Sequence, residues 1–365
     1  MLNYLLIFCF SLIASLCSIL IFKKLFQKHK ILDNPKKYWL KRKPIPYSMW
    51  IVFFISFFIV SFFATQIWYL EYNFKLGLIW VFWFFITAIS FMDDMLNVSP
   101  KVRLAFQVII WAIIGVTSIK IGYISNIFWW ILNLETYYFN IVDYTIYIIP
   151  LLFTVVWYVF IFNALNWTDW IQWNTSWLSI ISFSILFALW IILFYRDDYE
   201  WWIENAKFIM WTSIILVWIL IPFWYFDFKE RILMWDSWTM FLGFMLATLA
   251  IIAWGKIATV LVVFWIYTVD TIYVLINRVV KKKSLLAWDF THLHHRLLDL
   301  WLARKQVLYL IYSLSFLFWL TALFLDRTWK IIVFWIIIVV VVFINKIVDV
   351  GIKGKSKLRF KKSKK

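Results

Sequence analysis

Apolar residues fill this chain in long, nearly unbroken runs, each about as long as the ~20 residues a helix needs to cross a hydrocarbon core. Short polar breaks separate them, and the pattern predicts eleven helical spans, near 4–22, 48–69, 77–92, 104–119, 146–163, 176–195, 204–221, 239–253, 257–276, 306–324 and 331–348. Met1–Phe22 lacks a basic leading region and is followed by Lys23 and Lys24, so it reads as a retained first span rather than a cleaved signal. Between the fourth and fifth spans, Tyr123–Asp143 is aromatic and β-prone and predicts a short hairpin at the membrane surface. The expected fold is an all-α polytopic integral membrane protein of about 11 transmembrane helices. It forms one membrane domain over 1–350 with a basic tail over 351–365.

Composition agrees: 65% of residues are hydrophobic and 15% charged, which excludes an ordinary soluble domain with its roughly 25% charge. Cys9 and Cys17 both lie in the first apolar run, so neither a disulfide framework nor a thiolate metal site is expected. The net charge of +17 would suit a nucleic-acid partner, but its placement speaks against one. Most of the 36 Lys and Arg fall in 23–47, in the breaks after the third, seventh and ninth spans, and after Lys346. That bias marks the cytoplasmic side, with the N-terminus outside and the C-terminus inside. The run Lys353–Lys365 then reads as a juxtamembrane basic segment near anionic lipid, or as a solvated tail.

Against this background, four polar clusters stand out. Asp93-Asp94 closes the third run, with Lys101 and Arg103 just beyond; a carboxylate pair there is either a helix-end cap or a site. Asn163, Asn166 and Asp169 leave the fifth run at a spacing of three, on one face if the helix continues, followed by Gln172. Asp236 opens the eighth span, where an aspartate can simply be an N-cap. His292, His294, His295 and Arg296 follow the ninth; with no second Cys/His cluster to complete a metal site, they suit phosphate oxygens. The proline-rich loop 31–46 carries cations that serve either topology or phosphate binding. All four clusters follow odd-numbered spans, so all face one side, and carboxylates with amides and cations there describe a hard cation plus a phosphorylated substrate.

These motifs together resemble the polyprenyl-phosphate N-acetylhexosamine-1-phosphate transferases: Asp93-Asp94 with Lys101, Arg103 and Gln107, Asn-x-x-Asn-x-x-Asp at 163–169, the Asp236-Ser turn, and His-x-His-His-Arg at 292–296. The likeness runs from about Ile31 to Gln306, and Leu293 and Arg296-Leu-Leu-Asp299 resemble the branch that initiates O-antigen, enterobacterial common antigen or teichoic acid. The resemblance implies transfer of a HexNAc-1-phosphate, GlcNAc-1-phosphate first, from a UDP-N-acetylhexosamine to undecaprenyl phosphate with release of UMP. It implies Mg²⁺ (or Mn²⁺) on Asp236 and Asp94, with Asp93, Asp94 and Asp169 catalytic. Asn163, Asn166, Lys101, Arg103, His292, His294, His295 and Arg296 would bind substrate. Membrane lipid is a partner, nucleic acid is not, and a homodimer is left open. The alternatives are a phospho-MurNAc-pentapeptide translocase, a non-catalytic homologue, or a lipid-phosphate transporter.

Departures from the family pattern share one feature. Trp170, Trp173, Trp235, Trp238, Trp288 and Trp301 stand where the family uses glycine, in a chain with 28 Trp and 7 Gly. An indole replaces neither the positive φ nor the close approach that glycine provides. The simplest reading is a genetic code in which UGA means glycine. Gln172, where the family has a second carboxylate, is not explained that way.

Overall fold

The computed structural model describes residues 2–35, 42–67, 70, 72–96, 98–117, 119–125, 131–141, 144–168, 174–196, 200–233, 235–253, 265–282, 284, 292–299, 302–324 and 327–362. The chain divides into two compact units, Met1–Gly255 and Lys256–Lys365.

The first unit contains α1 (Leu2–Lys28), α2 (Trp50–Gln66), α3 (Phe74–Leu96), α4 (Pro100–Val116), α5 (Ile148–Thr168), α6 (Asn174–Arg196), α7 (Glu200–Phe228) and α8 (Trp235–Ile252). Side-chain contacts give their directions. Between α4 and α5, Gln107 meets Asn163 and Trp111 stacks on Tyr158 at 4.5 Å, so the two run antiparallel. Between α5 and α8, Tyr158 bonds Thr248 at 2.7 Å and Thr239 bonds Asn166 at 3.2 Å, again antiparallel. Gly243 makes the second crossing close: a Cβ there would lie 3.1 Å from the Phe162 Cα. Ser90 Oγ meets Met240 Sδ at 2.9 Å and Trp83 stacks on Phe241, joining α3 to α8. At the far end of the bundle Lys75 Nζ donates to Asn205 Oδ1, pairing the starts of α3 and α7. One end of this unit therefore collects the C-termini of α3, α5 and α7 and the N-termini of α4, α6 and α8.

Two buried serines of α2, Ser56 and Ser61, and the half-buried Ser184 of α6 each donate to the carbonyl four residues earlier, which spares the helix an unpaired hydroxyl at those positions.

Short strands stand at the opposite end. β1 (Tyr123–Ser125) pairs with β2 (Ile131–Asn133), and β3 (Tyr138–Ile141) with β4 (Tyr144–Tyr147), both antiparallel. The expected single hairpin is thus two, and the second uses Tyr144–Tyr147, the residues leading directly into α5. The fold is helical with this small β addition. The second unit holds α9 (Trp265–Val280), the short α10 (Leu293–Asp299), α11 (Arg304–Phe324) and α12 (Arg327–Lys362).

A helix occupies each of the eleven expected apolar runs, the ninth being described from Trp265 onward. Several helices outrun their apolar stretch: α1 to Lys28, α3 to Leu96, α5 to Thr168, α7 to Phe228, and α12 to Lys362, so that most of the expected tail is helical. A hydropathy run measures the part that suits lipid, whereas backbone hydrogen bonding continues until a breaker or cap intervenes. Five helices among the described residues are long and apolar enough to cross a bilayer, and the chain is a multi-pass membrane protein.

Candidate active site

Three of the four polar clusters lie at the shared end of the first unit, on the turns where helices outrun or begin their apolar stretch. Asp93 and Asp94 occupy the last turn of α3. Ser99 caps α4, its hydroxyl accepting from the Val102 N–H, with Pro100 in the first turn where a missing N–H costs nothing. That cap sets the tight return that places Lys101 and Arg103 beside the α3 terminus; Lys101 is exposed and Arg103 half-buried. Asp236 occupies the first turn of α8. The side chains of Asp93, Asp94 and Asp236 lie outside the described residues, but their helix positions are defined. Asp94 is one turn beyond Ser90 and Asp236 one turn before Met240, so the Ser90–Met240 contact brings these two positions to the same end of the α3–α8 pair.

The amides are tied together. Asn163 Nδ2 donates to Gln107 Oε1 at 3.1 Å and to the Val159 carbonyl at 2.8 Å. Asn166 Oδ1 accepts from Thr239 Oγ1 at 3.2 Å. The helix does continue past Asn166, to Thr168, as the spacing of three requires; Asp169 and Gln172 lie outside the described residues. Ser90, Arg103, Phe106, Gln107, Trp111 and Met240 line a crevice of roughly 330 Å³, open space included, between α3, α4, α5 and α8. Helix N-termini of α4 and α8 carry partial positive charge and favour anions, while the C-termini of α3 and α5 favour cations. Carboxylate positions, amides and cations on such a surface suit a phosphate–metal pair.

The proline-rich loop is more than a run of charge. Asp33 is buried and takes Arg42 in a two-pronged pair at 3.2 and 2.7 Å, and it also accepts from the Ile45 N–H at 2.8 Å. Pro46 in turn accepts from the Leu233 N–H at 2.9 Å, tying the loop to the residues just before α8. The sequence displays Asp33 only as one polar residue among prolines.

In the second unit, His292 and Arg296 are both buried. His292 Nδ1 lies 2.8 Å from Asp270 Oδ2. Arg296 donates to the Asn345 side chain, to the Asn345 carbonyl at 2.9 Å and to Tyr273 Oη at 3.5 Å, so the guanidinium expected on phosphate is committed to α12 and α9. The side chains of His294 and His295 lie outside the described residues. Asp270, 2% exposed, lies inside the ninth apolar run. A carboxylate inside an apolar run is itself the signal that could have found it.

Trp238, at a position where the family pattern has glycine, is 1% exposed against Phe53, and its Nε1 meets no acceptor. A buried orphan donor of this kind costs roughly 1–3 kcal/mol.

Residues 76–254 match glycosyl transferase family 4, a span that starts in α3, ends just past α8 and so takes in this whole polar end. The chain is also 24% identical over 274 residues to the probable undecaprenyl-phosphate N-acetylglucosaminyl 1-phosphate transferase of Bacillus subtilis (strain 168), covering 73% of this chain and 70% of that protein. Through the segment that builds its polar end, this chain is similar to glycosyl transferase family 4.

Proposed function

We propose that the protein transfers a HexNAc-1-phosphate, GlcNAc-1-phosphate first, from a UDP-sugar to undecaprenyl phosphate and releases UMP. One observation carries the reading: four helix termini, from α3, α4, α5 and α8, bring carboxylate positions, cations and paired amides to one end of the first unit. The charge bias of the loops assigns that end to the cytoplasm, where nucleotide sugars are available. An oxygen of the lipid phosphate forms a bond to the sugar-bearing phosphorus; the bond from that phosphorus to the bridging oxygen breaks, and the electron pair leaves with UMP. A second phosphate pKa near 6 leaves the acceptor largely ionised, so the demand is for charge neutralisation more than for a strong base.

Asp94 and Asp236 are the donors for Mg²⁺, which takes one or two carboxylates plus substrate phosphates; hard oxygen donors at two adjoining helix ends fit that preference. When bound, the ion offsets the charge of the diphosphate. Asp93 or Asp94 receives the acceptor, Lys101 and Arg103 steer phosphate, and Asn166 with Asp169 meets the nucleotide. The histidine run of the second unit binds phosphate. In detergent or nanodiscs, purified protein given Mg²⁺, UDP-GlcNAc and undecaprenyl phosphate releases UMP, and Asp94→Asn and Asp236→Asn abolish release. Release unchanged in both variants would refute the assignment.

A further inference from the structure

The hairpin β3–β4 has no part in the reaction just described, and its register sorts its side chains into two unlike faces. Tyr138 pairs with Tyr147, Phe139 with Ile146, Asn140 with Thr145 and Ile141 with Tyr144. Successive residues of a strand point to opposite sides, so Tyr138, Asn140, Thr145 and Tyr147 share one face and Phe139, Ile141, Tyr144 and Ile146 the other. The first face holds the polar partners. Thr145 Oγ1 donates to Asn140 Oδ1 at 3.0 Å, and Lys120 Nζ, 2.9 Å from Glu135 Oε1, sits 3.7 Å from the centre of the Tyr147 ring. In the second, the Tyr144 hydroxyl is the one polar side-chain group among the four residues. Yet Phe139, Ile141 and Tyr144 are all exposed, Tyr144 to 72%.

What that face meets is set by where the hairpin is rooted. The ladder runs on into α5: the Ile148 N–H donates to the Tyr137 carbonyl at 3.0 Å, so Ile148 follows Ile146 on the apolar side. From there Ile148, Leu152 and Val156 form an exposed stripe along α5, one residue per turn. The other side of α5 is taken by the bundle: Trp157 Nε1 donates to the Ala247 carbonyl at 3.3 Å, and Tyr158 meets Thr248 and Trp111. On a helix long and apolar enough to cross a bilayer, as α5 is, an exposed apolar stripe lies against lipid. The apolar hairpin face is therefore continuous with a lipid-facing one, at the level where α5 leaves the hydrocarbon. Tyrosine suits that level, with an apolar ring and a hydroxyl for water and headgroups. A two-stranded hairpin is marginally stable at best in water, and cover over one face supplies what it lacks.

We propose that β3–β4 is a membrane-surface anchor: its Phe139, Ile141, Tyr144 and Ile146 face is sunk in the headgroup region of the bilayer at the bundle end opposite the polar end, and its Asn140–Thr145 face stays in water. The test uses full-length protein with Cys9→Ser and Cys17→Ser, carrying one new cysteine labelled with an environment-sensitive fluorophore, in nanodiscs of phosphatidylcholine and phosphatidylglycerol. With Ile141→Cys the emission is expected to shift to the blue, to be quenched by lipid carrying a nitroxide near its headgroup, and to be shielded from iodide in solution. With Thr145→Cys the emission is expected at the aqueous wavelength, open to iodide and little affected by the nitroxide lipid. Tyr144→Cys repeats the first measurement from the other strand of the same face, so a single poorly folded variant does not decide the result. Iodide quenching of Ile141→Cys and Tyr144→Cys equal to that of Thr145→Cys overturns the proposal. So does shielding from iodide without quenching by the nitroxide lipid, which would mark a second copy of the chain or another protein on this face.

Discussion

Breaking the Asp33–Arg42 pair should release the loop between α1 and α2 from the residues just before α8. Asp33 has 1% of its side chain exposed and Arg42 14%, and the two are joined by 3.2 and 2.7 Å bonds, with the Ile45 N–H adding a third to the carboxylate. Removing one partner of a buried pair leaves the other charge uncompensated and costs about 3–5 kcal/mol. Because Arg42 retains some solvent, the lower value applies to Arg42→Ala, and about 3 kcal/mol raises the open population of the loop roughly 100-fold at 1.4 kcal/mol per decade. Arg42→Lys keeps charge but loses the fork and should lie between. Asp33→Asn keeps an acceptor for Ile45 N–H and leaves Arg42 bonded to the Lys43 carbonyl at 3.2 Å, so it should cost less than Arg42→Ala. Hydrogen exchange at the Ile45 and Leu233 amides, which bond Asp33 and the Pro46 carbonyl, measures this directly. Equal exchange rates for Arg42→Ala and the unaltered protein would refute the reasoning, because the pair would then contribute nothing to holding these bonds.

Other consequences follow from individual contacts. Gly243→Leu forces α8 away from the Phe162 backbone, at the ~1–3 kcal/mol typical of overpacking, and should lower thermal stability in detergent and weaken UDP-sugar binding through Asn163 and Asn166. Trp238→Gly removes a buried indole whose Nε1 lacks an acceptor and should preserve or raise activity; mass spectrometry of native protein should find glycine at 235 and 238, and a UGG codon at 170, 173, 235 and 238 would end that reading. Partial burial pushes the Tyr123 phenol up to about 12, above its ordinary 10, so the neutral ring stabilises the hairpin fully below pH 10 and that contribution is lost as pH rises toward 12. Tyr123→Phe should flatten the alkaline fall in stability over that window.

The apolar runs made the helices legible, and the spacing of Asn163 and Asn166 announced the α5 face that the structure pairs with Gln107 and Thr239. What the runs could not show is where helices stop. The chemistry-bearing residues sit on polar turns beyond the lipid-compatible stretch, as with Asp93 and Asp94 at the end of α3. Pairings between distant residues were equally hidden, since nothing local links Asp270 to His292 or Arg296 to Asn345. Charge alone made Arg296 look like a phosphate ligand, and only its burial against Asn345 shows a structural commitment. The division at Gly255 falls in the short break between the eighth and ninth apolar runs, and nothing local sets that break apart from the others.

The central claim is a choice of which bond breaks, and isotopic labelling of the donor decides it. With UDP-GlcNAc labelled at the sugar-bearing phosphorus, incubation with undecaprenyl phosphate and Mg²⁺ should carry the label into the lipid fraction and leave unlabelled UMP in solution. Label remaining in soluble UDP, with GlcNAc alone on the lipid, would contradict phosphosugar transfer. No reaction at all from protein carrying glycine at 170, 173, 235 and 238, with any UDP-sugar tried, would contradict the transferase itself.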